Sequence, residues 1–315
     1  MSDMKRLFQL TMSLAMTIVL SCGTAYADND DDIYLEAKAS VSKTTVYNGE
    51  VFEYAITLYT DNPNIGNVRY LDRPRTENVR KVADLPAYNN VRRTNREGIY
   101  AVDIASSAYV AETKGSCSLY GGVIEVTFLV PTTVYDPFWG YMQRNRSVTR
   151  NVRLKDVKVK AKSLPKSDTG FSGAIGEFSI DIDAHSIEMD RGDQIVVSYV
   201  ITGSGLLSDD TAMPDFKSLF ASPLRLMSVT PSFSSYSMNG EFTSRAVYEC
   251  QFSATEYGEY VIPPLKFTYF DPAAGRYKTI SSEECTVSVS APKRKSSSHG
   301  QYVYEPIQSN QTIQS

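Results

Sequence analysis

Residues 262–279 read IPPLKFTYFDPAAGRYKT, and two structures fit that string: an aromatic binding platform, or two strands joined by a turn. Side chains alternate across a strand, so Leu265, Phe267 and Tyr269 fall on one face and Lys266 and Thr268 on the other. Asp271 opens a turn, Pro272 presets φ, Gly275 supplies the positive-φ position, and RYKTI returns. A stacking platform would collect its rings on one outer face. The alternation sends most of them inward, and the string predicts a β-hairpin whose aromatics pack a core.

The same period of two recurs along the chain. GEVFEYAITLY (49–59) sets Phe52, Tyr54, Ile56 and Leu58 against Val51, Glu53, Ala55 and Thr57, and residues 98–111 and 121–130 continue in that style. Helical periodicity is missing, apart from a short helical or 3₁₀ turn at MPDFKSLF (213–220). Short strands rich in Val, Ile, Tyr and Thr, separated by Gly, Asn, Asp and Pro, predict an all-β sandwich. An internal echo then suggests two of them. NGEVFEYAITLY from Asn48 aligns with RGDQIVVSYVIT from Arg191, placing Gly49 on Gly192 and Phe52, Tyr54, Ile56 and Leu58 on Ile195, Val197, Tyr199 and Ile201. A turn glycine at positive φ before an alternating strand suits immunoglobulin-like sandwiches. Two tandem immunoglobulin-like domains are therefore expected at 33–163 and 171–290, joined near KAKSLPKSDTG (160–170) and followed by a disordered polar tail at 291–315.

The N-terminus reads as an export signal. Lys5 and Arg6 precede the apolar run LFQLTMSLAMTIVL, and Ala25-Tyr26-Ala27 has the shape a signal peptidase accepts, so residues 1–27 are expected to be removed. VLSC, ending at Cys22, also loosely resembles a lipidation box in which Cys22 would be acylated. Both readings place the protein outside the cytoplasm. DNDDD (28–32) reads as a solvated leader, because it lacks the staggered ligands and glycine of a calcium loop.

Of the remaining cysteines, Cys250 shares a face with Tyr248 and Phe252, and Cys285 with Val287 and Val289, so both point into a core. A disulfide between Cys250 and Cys285 and a pair of free inward thiols both satisfy that placement. Cys117 is expected to be a buried free thiol.

A net charge of −4 offers no basic footprint for nucleic acid. Eight basic residues do fall between Arg144 and Lys162, but the apolar alternation there switches parity at Asp156 and Val157, as in a bulged closing strand with a wet face. Catalytic patterns are poorly supported. The two histidines, His185 and His299, cannot build a triad or a zinc site, and the acidic pairs Asp181/Asp183 and Asp209/Asp210 show no facing geometry. GSG (203–205) lacks the lysine and helix of a phosphate loop. NRS (145–147) and DTA (210–212) match short glycan-acceptor triplets. No enzyme, cofactor or metal is expected. YDPFWGYMQ (135–143) carries the single tryptophan, and its Tyr135, Phe138, Trp139 and Tyr141 are a candidate interaction surface. The alternative is that these rings fold back and close the end of a sandwich.

EYGEYVIPPLKFTYFDPAAGRYKTISS resembles the C-terminal sandwich of the BatD family, the proteins of the Bat aerotolerance operon, with its Ile-Pro-Pro turn and Y-F-D-P block. LPKSDTGFSGAIGEFSIDID (164–183) is similar to that family's interdomain signature, and RGDQIVVSYVITGSG to its next strand; the resemblance covers residues 33–290. It implies a periplasmic, non-catalytic protein-interaction module. The implied partners are von Willebrand A domain proteins, a tetratricopeptide-repeat protein and a MoxR-type AAA ATPase, with a role in oxygen tolerance or envelope stress. Two departures stand out. Many members end in a membrane-spanning helix where this chain has a polar tail, and the family's usual glycine-asparagine-leucine is here Gly205-Leu206-Leu207. The competing expectation is a glycan-binding or adhesin-like secreted β-sandwich.

Overall fold

The computed structural model describes residues 33–87, 91–167, 170–220, 224–238 and 241–290. The export signal, Cys22 and the polar tail lie outside these residues. The described chain is almost entirely extended.

The first half contains β1 (Leu35–Val41), β2 (Thr45–Tyr47), β3 (Val51–Thr60), β4 (Ile65–Asp72), β5 (Arg75–Glu77), β6 (Val79–Leu85), β7 (Val91–Arg93), β8 (Tyr100–Ala111), β9 (Gly115–Tyr120), β10 (Val123–Asp136), β11 (Gly140–Arg153) and β12 (Val157–Lys162). One sheet runs β1-β3-β8-β6, with β7 also on β8; the others run β2-β12-β9-β5 and β11-β10-β4. Phe52, Ile56 and Leu58 from β3 meet Leu119, Ile124 and Phe128 from β9 and β10 in one buried cluster, so the sheets face each other across a core. Each fully buried side chain of this size stabilises by about 1.5–3 kcal/mol relative to exposure.

The second half contains β13 (Phe171–Ile175), β14 (Phe178–Ile182), β15 (Ser186–Asp190), β16 (Gln194–Gly203), β17 (Arg225–Met238), β18 (Glu241–Ser253), β19 (Gly258–Ile262), β20 (Lys266–Asp271), β21 (Arg276–Ser281) and β22 (Cys285–Ser290). The sheets are β14-β16-β18-β17, β15-β22-β19 and β13-β20-β21. The echo read in the sequence is thus an echo of topology. β1-β3-β8-β6 corresponds to β14-β16-β18-β17, and in both halves the strand before the glycine turn pairs in parallel with the last strand, β2 with β12 and β15 with β22. Gly49 and Gly192 open the matching strands at φ of 88° and 91°, a conformation that favours residues without a Cβ. MPDFKSLF supplies only one helical turn, Lys217–Phe220.

The opening string forms the expected hairpin, β20 against β21, with Leu265, Phe267 and Tyr269 buried. Phe270, on the opposite parity, is buried as well, because Tyr47 of the first half packs edge-on against it at 4.7 Å. A third apolar cluster joins the halves, with Val51, Leu85 and Val110 on one side and Phe242 on the other. Beside it the Phe242 N–H donates to Glu53 Oε1 at 2.7 Å. Burial pushes the Glu53 carboxyl above its ordinary range, a shift opposed by that N–H.

Cys250 and Cys285 face one core, as their parity requires, but they are free thiols here rather than the disulfide considered above. Tyr199 packs into the same core, and both thiols raise its pKa further beyond what burial does. Burial pushes the Cys250 thiol up to about 12 and raises Cys285 and Cys117, so all three behave as small hydrophobes.

Candidate functional site

The β10–β11 hairpin begins inside the first sandwich and ends outside it. Up to Phe128 strand β10 has β4 on its other edge, and Ile124, Val126 and Phe128 are fully buried. Beyond Leu129, whose N–H reaches the Asn64 carbonyl, β11 is its only strand partner among the described residues. The register then continues for seven more pairs, from Val130↔Arg146 to Asp136↔Gly140, making an arm about 20 Å long. Pro131, which has no N–H to give, sits where the other edge of this strand is open, a place that tolerates it.

The tip is fixed by its own backbone. Asp136 Oδ1 accepts the N–H groups of Phe138 at 2.9 Å and Trp139 at 3.2 Å, and Gly140 leaves the turn at a φ of 74°. This turn holds Phe138 at 92% and Trp139 at 79% exposure. Just behind them, Tyr135 and Tyr141 meet edge to face at 5.3 Å while remaining 63% and 80% exposed. All four residues singled out in the sequence therefore come together, and their rings do not fold back over the sandwich.

The second half repeats this turn. Asp271 Oδ1 accepts from Ala273 N–H and Ala274 N–H, both at 2.9 Å, Gly275 has a φ of 64°, and Phe270 meets Tyr277 edge to face at 5.1 Å. There the aromatic pair is covered. Tyr47 packs on Phe270, Phe171 on Tyr277 at 5.0 Å, and the Tyr277 hydroxyl donates to the Pro165 carbonyl at 2.9 Å. Burial raises the Asp271 carboxyl, but the Lys278 ammonium and the two turn N–H groups outweigh it and hold the pKa below the usual range. Sequence reasoning missed this equivalence, although Asp-Pro, two residues and Gly occur in both strings.

From Val130 to Arg146 the arm has one acidic residue, Asp136, against Arg144 and Arg146. The parity switch at Asp156 and Val157, expected to be a bulge in one closing strand, is instead a strand break: β11 ends at Arg153, Asp156 Oδ1 accepts the Gly121 N–H at 2.8 Å, and β12 moves to pair with β9 and β2.

Other candidates are structural. Asp183 accepts the Ser198 N–H at 2.8 Å, and His185 lies 3.2 Å from Glu283 on the surface. Asp181, Asp209 and Asp210 are exposed, and Asn145 of the NRS triplet lies on the arm, whereas Thr211 of DTA bonds to the Leu206 carbonyl and Ser208. Among the described residues no group of His, Cys, Asp and Glu could hold a metal. A cleft of about 290 Å³ lies between the halves, with Arg80 and Glu112 paired at 3.2 Å on its wall and no second carboxylate lining it.

Residues 183–289 match the family model described as BatD DUF11 like domain. The match lies wholly in the second half and supports a BatD-like domain there. The BatD-like domain family is not known as enzymatic. No curated protein matches the chain. Among solved structures, the adhesin InvE of Yersinia pseudotuberculosis aligns over 80% of this chain at 9% identity and a TM-score of 0.20, and this chain spans 58% of the InvE chain. The MSCRAMM ACE of Enterococcus faecalis aligns over 80% of this chain and 94% of its own at 12% identity and a TM-score of 0.17. At these TM-scores neither likeness carries an argument. Among the described residues no helix is long and apolar enough to cross a membrane.

Proposed function

We propose that the chain is a non-catalytic, exported interaction module of the periplasm that docks through the β10–β11 arm. The observation that carries the reading is the pair of Asp-Pro turns: where the second is covered by the neighbouring sandwich, the first holds four rings in solvent. Exposed aromatics on a rigid turn supply contact area at little entropic cost. The BatD resemblance supplies the expected partners: von Willebrand A domain proteins, a tetratricopeptide-repeat protein and the MoxR-type ATPase system, acting in oxygen tolerance or envelope stress. Pull-down from envelope extracts of the host is expected to recover a von Willebrand A domain protein, and Phe138→Ala with Trp139→Ala to weaken recovery. Recovery of none by the folded wild-type chain ends this reading.

The exposure of Trp139 also favours a second reading, a glycan-binding or adhesin-like sandwich in which the indole stacks on a sugar. A glycan array gives binding that Trp139→Ala abolishes if this reading holds, and no binding if it does not.

A further inference from the structure

The turn does not need the rings it carries. Asp136 and Asp271 organise their turns through the same pair of backbone hydrogen bonds, yet the second turn is built with Ala273 and Ala274 where the first has Phe138 and Trp139. The aromatic pair thus serves something outside the fold, and it does so against the penalty of exposing large apolar groups to water.

The chemistry of the arm is graded along its length. The tip carries uncharged rings, and its single carboxylate is engaged by the turn N–H groups. Uncharged Met142 and Gln143 follow, and then Arg144 and Arg146, both exposed and of the same strand parity. At about 3.4 Å per residue Arg144 lies roughly 13 Å behind Gly140. An interfacial element sinks its apolar part roughly 5–10 Å into the headgroup and acyl boundary, which leaves guanidinium groups at that distance level with lipid phosphates. Trp and Tyr favour this layer, since their rings are apolar and their N–H and O–H groups stay hydrated. The tip is also convex and free-standing, whereas small-ligand sites are concave.

The arm points from the end at which the chain enters the sandwich. Tyr34 N–H bonds Asp61 in the β3–β4 loop, and β10 passes the start of β4 at Phe128↔Ile65 before projecting. We infer that the arm is a membrane-interface probe, inserting Phe138 and Trp139 into an anionic phospholipid surface with Arg144 at its phosphates and Arg146, about 20 Å behind Gly140, drawn to the surface charge at longer range. The inference rests on the reading of the arm as the docking element and names the surface it meets.

Trp139 is the chain's single tryptophan, so its emission reports the tip alone. The full exported chain, carrying Cys22→Ser so that no acyl group anchors it, is titrated with vesicles of phosphatidylethanolamine and phosphatidylglycerol at 3:1 and with phosphatidylcholine vesicles. The expected result is a blue shift and co-sedimentation with the anionic vesicles only, weakening with salt. Arg144→Glu is expected to weaken binding about fivefold or more, and Arg146→Glu, farther from the surface, by less. Phe138→Ala is expected to weaken it roughly tenfold with unchanged circular dichroism. Unshifted Trp139 emission with the anionic vesicles overturns the inference. If partner recovery still depends on Phe138 in that case, the arm docks on protein; if a glycan shifts the emission instead, it docks on sugar. A blue shift without any partner recovery keeps the lipid inference while ending the assignment of protein partners.

Discussion

The β10–β11 and β20–β21 hairpins share an Asp-Pro turn, an edge-to-face aromatic pair and a glycine at positive φ, but Phe270 is fully buried and Tyr135 is largely in water. Neither hairpin's local physics accounts for the difference. The second ends beside Tyr47, Phe171 and Pro165, which close over it; the first runs seven residue pairs past its last bond to the β3–β4 loop and leaves its rings exposed among the described residues. A third long hairpin, β17–β18, makes the same point. Its strand begins at Glu241 and buries Phe242 against Val51, Leu85 and Val110 of the other half. An aromatic near a hairpin end is core or contact according to what the rest of the chain brings to it.

The contrast makes its largest claim about stability. Phe270→Ala is expected to cost about 3–5 kcal/mol, while Tyr135→Ala at the matching place is expected to stay within about 0.5 kcal/mol of wild type, both by chemical denaturation. Equal costs would show that the arm is packed in solution. The turns give a smaller, pH-dependent contrast. The folded pKa of Asp271 lies below the ordinary carboxylate value, so its contribution is present above that value and lost as pH falls through the depressed one. Asp271→Asn is therefore expected to lower the thermal midpoint at neutral pH, and the gap to wild type to narrow in acid below about pH 4.

At the contact between the halves the sign reverses. The folded pKa of Glu53 is raised, so stability falls as pH climbs from the ordinary carboxylate value to the raised one. Glu53→Gln keeps an acceptor for the Phe242 N–H and is expected to flatten thermal midpoints across that window. The smallest effect belongs to Tyr199→Phe. Among the described residues the buried Tyr199 hydroxyl has no hydrogen-bond partner, so its removal is expected to leave stability unchanged or raise it by about 1 kcal/mol. A clear loss would reveal a partner for that hydroxyl.

Much of the architecture was legible before any coordinates. The alternation in β3, β16 and β20 and the positive φ of Gly49 and Gly192 are local patterns, imposed by the pleat and by steric limits on φ, whereas the bulge expected at Asp156 and Val157 is a change of sheet. The four rings of the arm were legible as a group, but their exposure was not, because a string of aromatics reads alike in a core and in water. The burial of Phe270, on the parity expected to face outward, escaped for the same reason: Tyr47 lies far away in sequence. The free state of Cys250 and Cys285 was equally beyond parity, which gives direction and not distance.

Sequence alone determined most of the strands, their inward faces, the echo of β3 in β16 and the turn at Asp271, since each depends on residues within a few positions of one another. The fate of each hairpin end, covered or bare, required the packed molecule, because burial is a relation between distant segments that no local pattern encodes.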